Sequence, residues 1–274
     1  MLRIMYASLY KLFRDTTFKI TLIVGVSLAI LTNLLYFAIS EIADIELGSM
    51  LFSGETALIN SLNPTSNFGL MVPVNLVVFT IGEFTNGTIR NKIIAGHKKS
   101  SIYLSLLATG FIFTTILMVA YCVLSWAFGS LLGGVHAEGV SAETIGYIIL
   151  YGFFSYVFIM TASVFVATLI RSIGGSLPII IILLLFLGLI PTIINISAAF
   201  GGSESLLDYV PAHVAMWIDP LFMLGLYSST IMSMLITDTD NVTEMIVAGI
   251  VVPVYWSVIF GVIGLKLFQY RDIK

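Results

Sequence analysis

The chain has 274 residues, 58% of them apolar and 10% charged, with a formal net charge of −3. Its mean hydropathy is +1.06, and its charged fraction is far below the soluble norm of about a quarter; no stretch is polar enough to fold as a separate soluble domain. A basic patch for nucleic acid is absent, and a lone cysteine, Cys122, excludes an intrachain disulfide and a cysteine metal site.

In chain order, Leu2, Met5, Tyr6, Leu9 and Phe13 recur at helical spacing with Arg3, Lys11 and Arg14 on the other side. This predicts an amphipathic helix along the inner membrane surface; the simpler alternative is a basic juxtamembrane anchor. Six apolar runs then approach or exceed the roughly 20 residues that a spanning helix needs, giving spans near 20–40, 67–83, 102–133, 145–170, 173–199 and 246–266. The first run is longer than the roughly 7–15 apolar residues of a signal peptide. It reads as a retained span, and cleavage at Ala38-Ile39-Ser40 is the weaker reading. The second run is expected to begin near Asn67, because Asn60, Asn63-Pro64 and Asn67 are turn formers. The third and fifth runs are longer than a bilayer requires and must tilt, kink or extend past it. Gly174-Gly175, Pro178, Gly188 and Pro191 can bend the fifth, either as a gate or to fit its packing.

A seventh apolar run, 220–237, is about the lower limit for crossing and has acids but no basic residue at its ends. If it crossed, Lys266, Arg271 and Lys274 would move to the opposite side from the other cations. A re-entrant or interfacial hairpin fits better, with 209–217 as its first arm and a turn at Asp219-Pro220. Irregular backbone at membrane depth must be covered by protein or water, so this element should pack on the spans.

Charge gives the orientation. All twelve Lys and Arg fall in four clusters: Arg3, Lys11, Arg14 and Lys19; Arg90, Lys92, Lys98 and Lys99; Arg171; and Lys266, Arg271 and Lys274. The alternate loops carry twelve of the fifteen acids and no cation. Basic residues are retained on the cytoplasmic face during insertion, so both termini are expected inside. The expected fold class is an all-α membrane protein forming one domain over residues 1–274, with no internal repeat and no linker.

The segment of greatest chemical interest is the inner loop from Glu83 to Lys99. Thr88 is suited to cap a short helix with Ile89 and Ile93 on its apolar side and Arg90 and Lys92 on the wetter side. Gly96 suits the left-handed residue that ends a helix, and Ser100 or Ser101 can cap the next span. Such a stiff basic helix between two spans can pass a push from a cytoplasmic partner to both. Equally, its cations can simply hold anionic lipid, at about 1 kcal/mol each.

The run Glu83-Phe84-x-x-Gly87-Thr88-Ile89-Arg90-Asn91-Lys92 resembles the inner loop of bacterial ABC-2 type permeases, the membrane subunits of ATP-binding cassette exporters. The amphipathic N-terminal helix, six spans with both ends inside and an outer hairpin before span six are similar as well. The resemblance implies that 84–96 is a coupling helix docking on an ATPase, with Glu83, Phe84, Thr88, Ile89, Arg90, Lys92 and Ile93 as the coupling residues. Glu83 and Arg90 would sit at or near the contact. It further implies a separate ATPase subunit holding ATP and Mg, a second permease subunit as homo- or heterodimer partner, surrounding membrane lipid, and a multi-pass location in the bacterial cytoplasmic membrane. No Gly-x-x-x-x-Gly-Lys-Ser/Thr loop occurs in this chain, so neither enzyme activity nor a bound cofactor is expected of it.

The apolar runs behind these spans, 20–40, 56–82, 102–135, 144–170, 172–203 and 245–265, contain no ionisable acid or base, which argues against an ion-coupled antiporter. His97, His136 and His213 are too scattered for a metal site, and no paired nucleophile and base suggests an intramembrane protease. Asn33, Asn75 and Asn195 either line a path or hydrogen-bond neighbouring helices, and Gly129-x-x-x-Gly133 allows close helix approach. The resulting expectation is an exporter subunit working by alternating access on an amphipathic or hydrophobic cargo such as a peptide antibiotic, lipid or drug. The alternative is a non-transporting sensor or assembly subunit that binds a cytoplasmic partner.

Overall fold

A computed structural model of the chain describes residues 2–42, 53–63, 69–135, 142–199, 216–222 and 242–271. Among these residues the regular structure is entirely helical. The helices are α1 (Leu2–Arg14), α2 (Thr16–Ile42), α3 (Gly54–Leu62), α4 (Met71–Thr85), α5 (Thr88–Ile94), α6 (Lys99–Gly133), α7 (Ala142–Ile170), α8 (Ile173–Ala199) and α9 (Val242–Tyr270). Four stretches are long and apolar enough to cross a membrane: Thr16–Ala38, Lys99–Gly133, Ile145–Ile170 and Val247–Tyr270. The protein is therefore described as membrane-embedded. Met71–Thr85 and Ile173–Leu189 are shorter apolar helical stretches.

Helix α7 is the central post, touching α3, α4, α6, α8 and α9. Within its apolar window 67% is buried, against 22% for α2 and 28% for α9, which turn most of their surface outward. In a bilayer such outward apolar faces meet lipid tails instead of water, so their exposure carries no hydrophobic penalty.

The second apolar run is divided into two helices. Ser53 caps α3, its Oγ accepting from Thr56 N at 3.2 Å. Helix α3 then enters between α6 and α7 because two glycines make room. At Gly129 a Cβ would lie 2.7 Å from the Ala57 Cβ, and at Gly152 a Cβ would lie 2.7 Å from Leu62 Cδ2. Small residues that let backbones approach are the usual basis of helix packing where solvent is apolar. The expected start of the second span at Asn67 lies outside the described residues, and α4 itself begins at Met71. Its 15 residues rise only about 22 Å, short of a full hydrocarbon core of about 30 Å.

Helices α1 and α2 meet at one residue, Asp15, whose Oδ1 accepts from Thr17 N at 3.0 Å and caps α2. Helix α1 packs one side on the bundle and leaves part of its expected membrane-facing set exposed. Ile4, Ser8 and Leu12 point inward, while Tyr6, Tyr10 and Phe13 are exposed. Helix α8 runs unbroken past positions 178 and 191. Of the expected hairpin before the last helix, residues 216–222 are described, and the remainder of 209–237 lies outside the described residues.

Candidate functional site

The basic clusters, far apart in sequence, meet at one end of the bundle. The joint between α4 and α5 is made by Asn86 and Gly87, and Gly87 takes a left-handed φ of 67° that a side chain would strain. Gly87, not Thr88, is the N-cap residue of α5, and no side chain caps it. The reason is that the Thr88 hydroxyl instead faces α1, accepting from Lys11 Nζ at 3.4 Å. Gly96 does take the left-handed conformation after the helix, with φ 83°. Helix α6 starts directly at Lys99 after Lys98, without a Ser100 or Ser101 cap.

At the centre of this end lies Glu83, in the last turn of α4 and fully buried. Its Oε1 accepts from Lys11 Nζ of α1 at 2.5 Å, and its Oε2 accepts from Lys92 Nζ of α5 at 2.8 Å. Lys92 Nζ also donates to Ser8 Oγ of α1 at 3.0 Å. One carboxylate thus ties three helices, using both oxygens, and two hydroxyls share the ammonium protons. Burying a charge is tolerated only when it is paired and hydrogen-bonded in this manner. Helical periodicity had placed Lys11 and Lys92 on wet faces. Both turn inward because the buried acid offers more than water does at that position, and the Lys92 side chain is only 13% exposed.

The other residues of this inner segment divide by exposure. Ile89 is fully buried, Ile93 packs half-buried against the core, and Phe84 stacks edge-on to Phe268 of α9 at 6.2 Å. Arg90, Asn91, Ile94, His97 and Lys98 face outward, with Ile94 74% exposed. Helix α5 thus has a buried half clamped to the bundle and a solvent half that is basic with one prominent apolar residue.

A second set of contacts closes the same end. Arg171, the joint between α7 and α8, holds φ 59° and places its guanidinium 5.3 Å from the Phe84 ring. Burial, and then the neighbouring Arg271, lower the Arg171 pKa. Arg271 Nη1 donates to Leu169 O at the end of α7, and Lys99 Nζ donates to Gln269 O at 3.1 Å at the end of α9. Cations at helix C-termini complement the macrodipole.

Of the three expected asparagines, Asn75 joins two helices: its Oδ1 accepts from Thr21 Oγ1 of α2 at 2.5 Å, while its Nδ2 donates to Met71 O. Asn33 donates within its own helix to Ala29 O at 2.6 Å, and the Asn195 side chain lies outside the described residues. Among the described residues no group of three or more His, Cys, Asp or Glu could hold a metal ion. His136 and His213 lie outside the described residues.

Sequence reasoning missed two residues of this site, Ser8 and Lys11. The signal for Lys11 was present: Glu83 is one of only three acids on the basic side, and it needed a partner. A further carboxyl, Asp219, is buried in the 216–222 turn away from this end. Comparison with protein-family models, with curated proteins and with solved structures finds no match to this chain.

Proposed function

We propose that this chain is the permease subunit of a bacterial ATP-binding cassette exporter of the ABC-2 type, with six spans and both termini in the cytoplasm. A separate ATPase subunit, binding ATP and Mg, docks on the outward half of α5. A second permease subunit completes the path in the cytoplasmic membrane. The cargo class is amphipathic or hydrophobic, and alternating access moves it outward.

The observation that carries this reading is the buried Glu83 with its two ammonium partners. A force applied to Arg90, Ile94 or Lys98 reaches α4 and α1 through Glu83, and reaches α6 through the short connection at 95–98. Glu83 is then a positioning residue behind the contact, and Arg90, Asn91, Ile94 and Lys98 form the contact itself. The basic end faces the cytoplasm by the retention rule for cations.

The second reading, a membrane sensor or assembly subunit, uses the same lever without transport. Reconstitution with a candidate ATPase separates the two. Exporter function requires ATP-dependent cargo movement that Arg90→Glu with Ile94→Asp abolishes. ATPase docking on α5 without vectorial movement of any cargo assigns the second reading, and no docking at all overturns both.

A further inference from the structure

The 216–222 turn is held between α7 and α9 by two backbone contacts. Ser155 Oγ donates to Pro220 O at 3.2 Å, and Trp256 Nε1 donates to Ile218 O at 2.9 Å. Each of these helices has 29 residues, and Ser155 and Trp256 both lie within a residue of the midpoint. The turn is therefore about 20 Å from either helix end, midway along both helices. Met216 and Phe222 join one apolar core cluster and Leu221 joins the other, so the turn pegs the two together.

Between the two clamped carbonyls lies Asp219, 3% exposed. Its Oδ1 accepts from Leu221 N at 2.9 Å, and its Oδ2 has no partner among the described residues. The elements around the turn offer hydroxyls near this depth, on Tyr151, Ser155 and Tyr156 of α7 and Tyr255 of α9, but no charge. Their charged residues sit toward the helix ends: Glu83 on α4, Glu143 on α7, and Glu244 and Lys266 on α9; the described part of α8 has none. A carboxylate with no counter-charge among the described residues is held as the neutral acid or leaves its place; His213, on the same segment, lies outside the described residues.

We infer that Asp219 is a proton-binding site that governs docking of the 216–222 turn: protonated, it stays between α7 and α9; ionised, it withdraws toward water and releases both clamps. Burial away from any counter-charge among the described residues favours the neutral acid in the docked turn. A group whose docked value is raised favours docking most at low pH. That advantage is complete below the ordinary carboxyl range near 4 and is lost as pH rises above it. This inference stands apart from the exporter reading and needs no ATPase.

The test uses the full chain in lipid nanodiscs, where both faces meet the buffer and sidedness does not enter. In a Cys122→Ala background, Met216→Cys reports the buried side of the turn and Glu143→Cys serves as an exposed reference. The ratio of their maleimide labelling rates cancels thiol ionisation. The expected ratio rises about tenfold or more from pH 5.5 to 8.5, and Asp219→Asn holds it low at both. Ser155→Ala, which loses one clamp and retains the carboxyl, moves the midpoint to lower pH. A ratio independent of pH with Asp219 present, or an equal rise with Asp219→Asn, overturns the inference. Should Asp219→Asn not fold, an unmoved midpoint with Ser155→Ala overturns it equally.

Discussion

Glu83 and Asp219 are the two carboxyls buried among the described residues, and they are held in opposite ways. Glu83 receives two ammonium groups from two other helices, so both of its oxygens are occupied by cations. Asp219 receives one backbone amide from two residues along its own chain, and its second oxygen receives nothing among the described residues. The contrast teaches that burial alone does not define a role for an acid. An acid saturated with cations joins elements permanently, whereas one without them makes its junction conditional on a proton.

Removing the joint at Glu83 should have the largest effect. Glu83→Ala leaves Lys11 and Lys92 facing each other with no anion, at about 3 kcal/mol or more of stability, read as a lowered midpoint of thermal unfolding in nanodiscs. A loss under about 1 kcal/mol would mean that water already screens the pair and would collapse the contrast. Next, Lys92→Met keeps the Lys11 pair and removes one cation, for a loss of about 2 kcal/mol. The same variant should weaken α5's grip on α1, seen as faster amide hydrogen exchange across 88–94.

At the other carboxyl the sign reverses. Asp219→Asn should raise stability relative to the native chain, and by more at pH 8 than at pH 5. Parallel pH profiles for the two proteins would remove any special status from Asp219. The smallest effect belongs to the outward half of α5, where Arg90→Ala with Ile94→Ala should shift stability by less than about 0.5 kcal/mol. If that pair destabilised as much as Lys92→Met, α5 would be held by its exposed residues instead of by Glu83.

Much of the architecture was legible. The separation of cations from acids along the chain matches a bundle whose basic clusters converge at one end, because each cluster sits where a long helix begins or ends. Helical bounds near 145–170 and 173–199 follow from the charge that brackets them, with Arg171 at the break. The inward turn of Lys11 could not come from a helical wheel, which assigns lysine outward and cannot see an acid 72 positions away; only the presence of Glu83 on the basic side pointed to it. The break in the second apolar run was legible in Asn60, Asn63-Pro64 and Asn67, but not that the piece before it packs as a helix: Gly129 and Gly152, on other helices, leave the slot for α3. Asp219 read as the flank of a turn. Its depth depends on Ser155 and Trp256, which no local pattern connects to it.

Helix α7 is enclosed by five neighbours, so it cannot shift without disturbing all of them at once. Helix α2 packs chiefly on α1, α4 and α6 and turns most of its surface outward, so its displacement disturbs less, and the distance from a label on α7 to one on α2 reports such movement.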